Sequence, residues 1–160
     1  MGKGVLVLVV GLLPTISLAG KDPPDKEWQP LIDAATDAVK KKDAAAVAKL
    51  IVSHVEMSAA CDGAKTPGDK KRAEENDKNR PASIARALDG CDAAWKSAKL
   101  VSSEGGAPSP SKCARAKFAR PINVEYDDGT LLWQISLDPI VFDGKRLLVS
   151  TPRCLASMRK

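Results

Sequence analysis

Residues 114–137 read ARAKFARPINVEYDDGTLLWQISL, and this run decides the fold class. Ala114, Ala116 and Phe118 alternate with Arg115 and Lys117. Ile122, Val124 and Tyr126 keep the same parity beyond Pro121. Asp127-Asp128-Gly129 interrupts the alternation. Leu131, Trp133, Ile135 and Leu137 then resume it, with Leu132, Gln134 and Ser136 on the other face. A period of two is the signature of a strand with one buried face, and an Asp-Gly step between two such runs reads as a hairpin turn. Pro139 breaks the pattern, and segments 140–142 and 147–151 flank a second turn signal, Asp143-Gly144. The C-terminal third is therefore expected to be an antiparallel meander, with Cys154 just past its last strand.

Upstream of the meander the period changes to that of helices. Trp28, Leu31, Ile32, Ala35 and Val39 recur at helical spacing, opposite Asp33, Thr36, Asp37 and Lys40. Lys40-Lys41-Lys42 closes this first helix, where cations suit the negative end of the helix dipole. Asp43 is a good N-cap for a second helix over 44–52, with Val47, Leu50 and Ile51 as its buried stripe. Val55 and Met57 alternate with His54 and Glu56, which reads as a short strand. Residues 62–80 lack apolar periodicity, carry six Lys/Arg and five Asp/Glu, and are expected to form a long polar loop. A third helix is expected over 81–98, where Ile84, Leu88, Cys91, Trp95 and Ala98 step by four and three. Residues 102–111 hold Gly105-Gly106 and two prolines, and read as a linker. Trp28, Trp95 and Trp133 all fall on apolar faces and are assigned to the core. The fold class is thus α+β: three helices packed on a curved antiparallel sheet.

The N-terminus carries a different signal. Lys3 is followed by an apolar run over 5–13, then Pro14 and Ser17-Leu18-Ala19. A basic start, a short apolar stretch and small residues at −3 and −1 describe a cleavable signal peptide over 1–19, with Gly20 as a second possible end. The run is shorter than the about 20 apolar residues that span a bilayer. Leu18-Ala19-Gly20 resembles the start of a lipobox, but Lys21 stands where the acylated Cys would be. Leu6 stands where a myristoylation motif has Ser or Thr. Cleavage leaves 141 of the 160 residues and a net charge of +4 in place of +5. That length is expected to form a single α+β domain over 20–160, with the polar insertion at 62–80. No later segment is apolar enough to span a membrane, so the protein is expected to be secreted or periplasmic.

Cysteine usage agrees with export. Cys61, Cys91, Cys113 and Cys154 form an even set with wide spacings and no C-x-x-C pair, which reads as two disulfides rather than a zinc, redox or haem site. Of the three possible pairings, Cys61–Cys91 with Cys113–Cys154 is preferred, because each pair then flanks one structural block.

Asp43-Ala-Ala-Ala-Val-Ala-Lys-Leu-Ile51 followed by His54-Val-Glu-Met57, together with Phe142-Asp-Gly-Lys-Arg-Leu-Leu-Val149, resembles the second helix, first strand and closing hairpin of the ketosteroid isomerase and nuclear transport factor superfamily. The resemblance covers most of 20–160 in element order. It implies a cone-shaped α+β fold enclosing a small apolar pocket, on which enzymes, binders and assembly modules are all built. Enzymes of that superfamily can pair an acid/base carboxylate with a tyrosine. Tyr126 is the single tyrosine here and sits against a turn, and Asp138 precedes Pro139, so neither carries that role over.

Few residues suggest chemistry. His54 is the single histidine; it is a weak candidate general base and excludes any multi-histidine metal site. No nucleophile elbow, phosphate loop or metal motif is present, and no cofactor is expected. Lys112, Arg115, Lys117 and Arg120 form a basic run with no acid among them, a possible face for an anionic partner. With Phe118 as the one interleaved aromatic, nucleic acid is not expected. Three functions follow: an exported non-enzymatic binding or accessory module for a small apolar ligand or a protein; an isomerase- or hydrolase-type enzyme using His54; and an envelope-associated structural protein with a basic sheet face.

Overall fold

The computed structural model describes residues 22–62 and 66–158. The expected signal peptide lies outside the described residues. Four α-helices precede seven strands: α1 Gln29–Lys40, α2 Ala44–Leu50, α3 His54–Met57, α4 Pro67–Asp89, β1 Lys99–Gly105, β2 Ala116–Phe118, β3 Ile122–Asp127, β4 Leu131–Leu137, β5 Pro139–Phe142, β6 Lys145–Leu148 and β7 Arg153–Met158. The class is α+β, with both sheets antiparallel. Order β1-β3-β4-β7 makes the larger sheet and β2-β5-β6 the smaller.

The strand register follows the alternation in the sequence. Ile122 pairs with Leu137, Val124 with Ile135 and Tyr126 with Trp133, which puts all six on one face, and all six are buried. Asp143 and Gly144 both adopt positive φ (46° and 78°), the geometry of a type I′ turn, and close the β5–β6 hairpin. Two expectations give way here. The parity that runs past Pro121 does not mark one strand: β2 joins the small sheet and β3 the large one. The expected linker is instead partly β1, whose end is held against Pro121. A Cβ on Gly105 (φ +105°) would lie 2.0 Å from the Pro121 carbonyl oxygen, so glycine alone fits there. The meander also gains β7, pairing with β4, so Cys154 lies within a strand.

The helical half departs further. His54–Met57 is a helical turn, not a strand: the Ser53 hydroxyl accepts from the Glu56 amide as an N-cap. Residues 67–80 of the expected polar loop and the first part of the expected third helix form one element, the 23-residue α4. Thr66 and Asp69 form a capping box at its start, with Pro67 in the first turn. Its inward stripe runs Ala73, Asp77, Arg80, Ile84 and Leu88, a four- and three-residue spacing with a paired acid and base in the middle. It ends at Asp89, before the expected end, so Trp95 and Ala98 lie beyond the helix.

The larger core packs α1, α2 and the end of α4 on the large sheet around Trp28, Ile32, Val39, Ile84, Ile135 and Leu148. A smaller core joins the segments on either side of α3 to β2 and β5 through Val52, Ala116, Ile140 and Phe142, with Ala60 and Cys61 packed against it. Trp28 and Trp133 are buried as expected, and half-buried Trp95 packs edge-on to Tyr126 at 5.7 Å. All four cysteines are disulfide-bonded, but the pairing is Cys61–Cys113 and Cys91–Cys154. Cys61 and Cys91 bracket α4, whose 23 residues rise about 34 Å at 1.5 Å each. A disulfide needs Cα atoms within about 7 Å. Cys61, past α3, is tied to the loop before β2, and Cys91, just past α4, to β7, one bond at each core.

Candidate functional site

His54 sits at the start of α3, against the middle of α4. Asp77 on α4 is the hub. Its carboxylate accepts from the Ser53 hydroxyl (2.7 Å), the His54 amide (2.9 Å), the Val55 amide (3.2 Å) and the Arg80 guanidinium (2.6 Å). His54 Nδ1 lies 2.9 Å from the same Asp77 oxygen and 2.6 Å from Arg80 Nη2. Arg80 also donates to the Ile51 carbonyl at 3.2 Å. Burial opposes ionisation of Asp77. The Ser53 hydroxyl, the His54 amide and ring and the Val55 amide outweigh it and hold the carboxyl well below the usual carboxylate range.

The two contacts of Nδ1 make different demands. A guanidinium has no acceptor and asks for the lone pair of Nδ1, whereas the carboxylate asks for a proton on it. The other ring nitrogen, Nε2, makes no hydrogen bond to another described residue. His54 thus lies within reach of a carboxylate. The carboxylate, however, is already engaged in capping α3 and pairing Arg80.

Beside this cluster lies a cleft of about 430 Å³. Asn76, Asn79, Arg80, Ser83 and Arg86 of α4 form one wall; at about 100° per residue they span an arc of about 120° centred on Ser83. Ile51, His54 and residues 149–151 complete it. No carboxylate lines the cleft. Arg80 is nearly buried, with its side chain 11% exposed, whereas Arg86 is exposed and makes no ion pair with another described residue. The sequence reading missed this wall because it placed half of α4 in a loop. The usable signal was the recurrence of Asn76, Arg80, Ser83 and Arg86 at helical spacing.

The basic run is not one face. Arg115 precedes β2 and makes a two-pronged pair with Asp143 (2.8 and 2.5 Å), which raises the guanidinium and lowers the carboxyl. Lys117 lines a separate groove with Trp28, Phe118 and Arg146, while Lys112 and Arg120 are exposed in the segments flanking β2. Tyr126 is buried under Lys40, whose Nζ lies 3.9 Å from the ring centre. Asp138 accepts from the Ser150 hydroxyl at 2.6 Å, where the chain passes from β4 to β5. Among the described residues no cluster of His, Cys, Asp and Glu could hold a metal ion. No helix among them is long and apolar enough to cross a membrane. Comparison of this chain with protein-family models, curated proteins and solved structures gives no match.

Proposed function

We propose that this chain is an exported, non-enzymatic binding module whose binding surface is the cleft between α4 and residues 149–151. The observation that carries the reading is that cleft: a wall of side-chain hydrogen-bond donors on a long helix, of a size that suits a small ligand. The space between the large sheet and the helices is packed with side chains of the chain itself, which turns the reading from an apolar ligand toward a polar one. Two disulfides without a membrane-crossing helix among the described residues are compatible with an oxidising compartment, and the basic-apolar-small pattern of 1–19 supports export. Kinship with the ketosteroid isomerase-like superfamily stays part of this proposal on the sequence resemblance, although its first-strand match, His54–Met57, is helical.

The test is mass spectrometry of the protein from its native compartment, native and then denaturing. A denatured mass starting at Gly20 and short of four hydrogens is expected. Excess mass seen only in the native spectrum, and absent when Ser83→Trp fills the cleft, is the expected sign of a bound ligand. A retained N-terminus removes the export reading. Excess mass that survives Ser83→Trp, or no excess mass at all, overturns the cleft.

The 2.9 Å contact between His54 and Asp77 favours a second reading, an isomerase or hydrolase with His54 as base. Among the described residues no Ser, Thr or Cys bonds to Nε2 as a nucleophile would. A turnover abolished by His54→Ala, with the fold intact, would establish this reading instead.

A further inference from the structure

We infer that the α4 cleft is built to hold an oxyanion, a carboxylate or phosphate group on a small ligand, with Arg80, Arg86 and His54 Nε2 as its donors. This rests on the cleft being the binding surface and goes further by assigning the ligand's charge. Three observations converge. The lining contains two guanidinium groups and no carboxylate. A guanidinium fork matches the two oxygens of a carboxylate or phosphate, which a single ammonium cannot do.

The second observation is preorganisation. Arg80 is held by Asp77 at 2.6 Å and by the Ile51 carbonyl at 3.2 Å, so its remaining N–H groups are fixed before a ligand arrives. Fixing a long side chain in advance removes part of the entropy lost on binding. Asp77 neutralises Arg80 from the helix side, which leaves Arg86 as the uncompensated charge of the cleft among the described residues.

The third is the His54 ring, which lines the cleft and makes no hydrogen bond at Nε2 to another described residue. With a proton there, Nε2 adds a donor that suits an acceptor ligand. The wall adds the amides of Asn76 and Asn79 and the Ser83 hydroxyl, and it holds no aromatic ring on which a sugar or base would stack.

The experiment is a backbone-amide NMR titration of the disulfide-intact protein, run in parallel with inorganic phosphate and with citrate at matched ionic strength. Saturable shifts confined to α4, the start of α3 and residues 149–151 are expected with at least one of the two, and which one names the group. Arg86→Ala is expected to weaken that binding at least about tenfold, the scale of one hydrogen bond to a charged group. His54→Gln, which keeps a side-chain N–H, is expected to bind better than His54→Ala. Arg86 is exposed and unpaired among the described residues, so its variant should fold, and an unchanged amide spectrum outside α4 verifies that. No saturable shift with either anion, shifts spread over surface lysines, or Arg86→Ala binding like the parent each overturns the oxyanion assignment. If a neutral ligand is found in the native spectrum and is displaced by Ser83→Trp, the cleft stands and only the charge assignment falls.

Discussion

Asp77 shows how one side chain can join three segments. It is part of α4, closes the first turn of α3 and fixes Arg80 and the Ile51 carbonyl through the same guanidinium. Replacing it by alanine strips the α3 amides of their acceptor and leaves Arg80 nearly buried without its anion. Asp77→Ala is expected to cost about 2–3 kcal/mol in urea denaturation, on the scale of hydrogen bonds to a charged group. Ser53→Ala, which removes one donor and one cap, should cost about 1 kcal/mol. Asp128 plays a similar part in the β3–β4 hairpin, accepting from the Leu131 and Thr130 amides and the Trp133 indole, and its carboxyl is lowered to about 2. Both carboxylates sit below their unfolded value of about 3.9. A depressed acid contributes stability that is present above the unfolded pKa and is lost as pH falls through the folded one. Melting temperature should therefore stay level from neutral pH to about pH 4 and fall steeply toward about pH 2. Asp128→Asn should flatten that fall, and an unchanged acid limb would refute its assignment.

At the scale of elements, α4 explains most of what the sequence concealed. Its stripe places Asp77 and Arg80 where an amphipathic pattern would carry apolar residues, so the hydrophobic period disappears over 67–80 although the helix does not. What supports it there is local: the Thr66–Asp69 capping box, Lys and Glu at four-residue spacing (Lys70 with Glu74, Lys71 with Glu75), and the good helix formers of 70–75. Thr66→Ala should fray the first turn and cost about 1 kcal/mol, visible as faster amide exchange at residues 69–72 with little change near Leu88. His54–Met57 misled for a related reason. Four residues of alternating type satisfy a strand pattern, but the Ser53 cap and the Asp77 carboxylate supply the acceptors that make the segment helical.

For the molecule as a whole, the disulfides decide how the layers are held. Cys61–Cys113 and Cys91–Cys154 interleave in sequence, spanning 52 and 63 residues. On a chain-entropy argument each closes a loop worth about 4 kcal/mol. Because the two loops overlap, losing both should cost less than twice that. Replacing both members of either pair with serine should lower stability by up to about 4 kcal/mol in guanidinium titrations under oxidising conditions. Non-reduced peptide mapping is expected to link the Cys61 peptide to the Cys113 peptide. A Cys61–Cys91 link would contradict the helix between them as well as the pairing, since both cannot hold at about 34 Å.

The sequence alone determined the α+β class, the register of the β3–β4 hairpin, the Asp143-Gly144 turn, α1 and the Asp43-capped α2, and the presence of two disulfides. These follow from local period, turn chemistry and composition, each contained within a few neighbouring residues. Tertiary structure decided the length of α4, the division of the strands into two sheets, the addition of β7, the disulfide pairing and the α4 cleft. Each of these depends on a partner far along the chain: Asp77 meets Ser53, His54 and Val55 across 22 to 24 residues, Pro121 meets Gly105, and Cys154 meets Cys91 across 63. A polar residue on an inward face reads as a break in a pattern until the group that satisfies it is in place, and only the folded chain brings that group there.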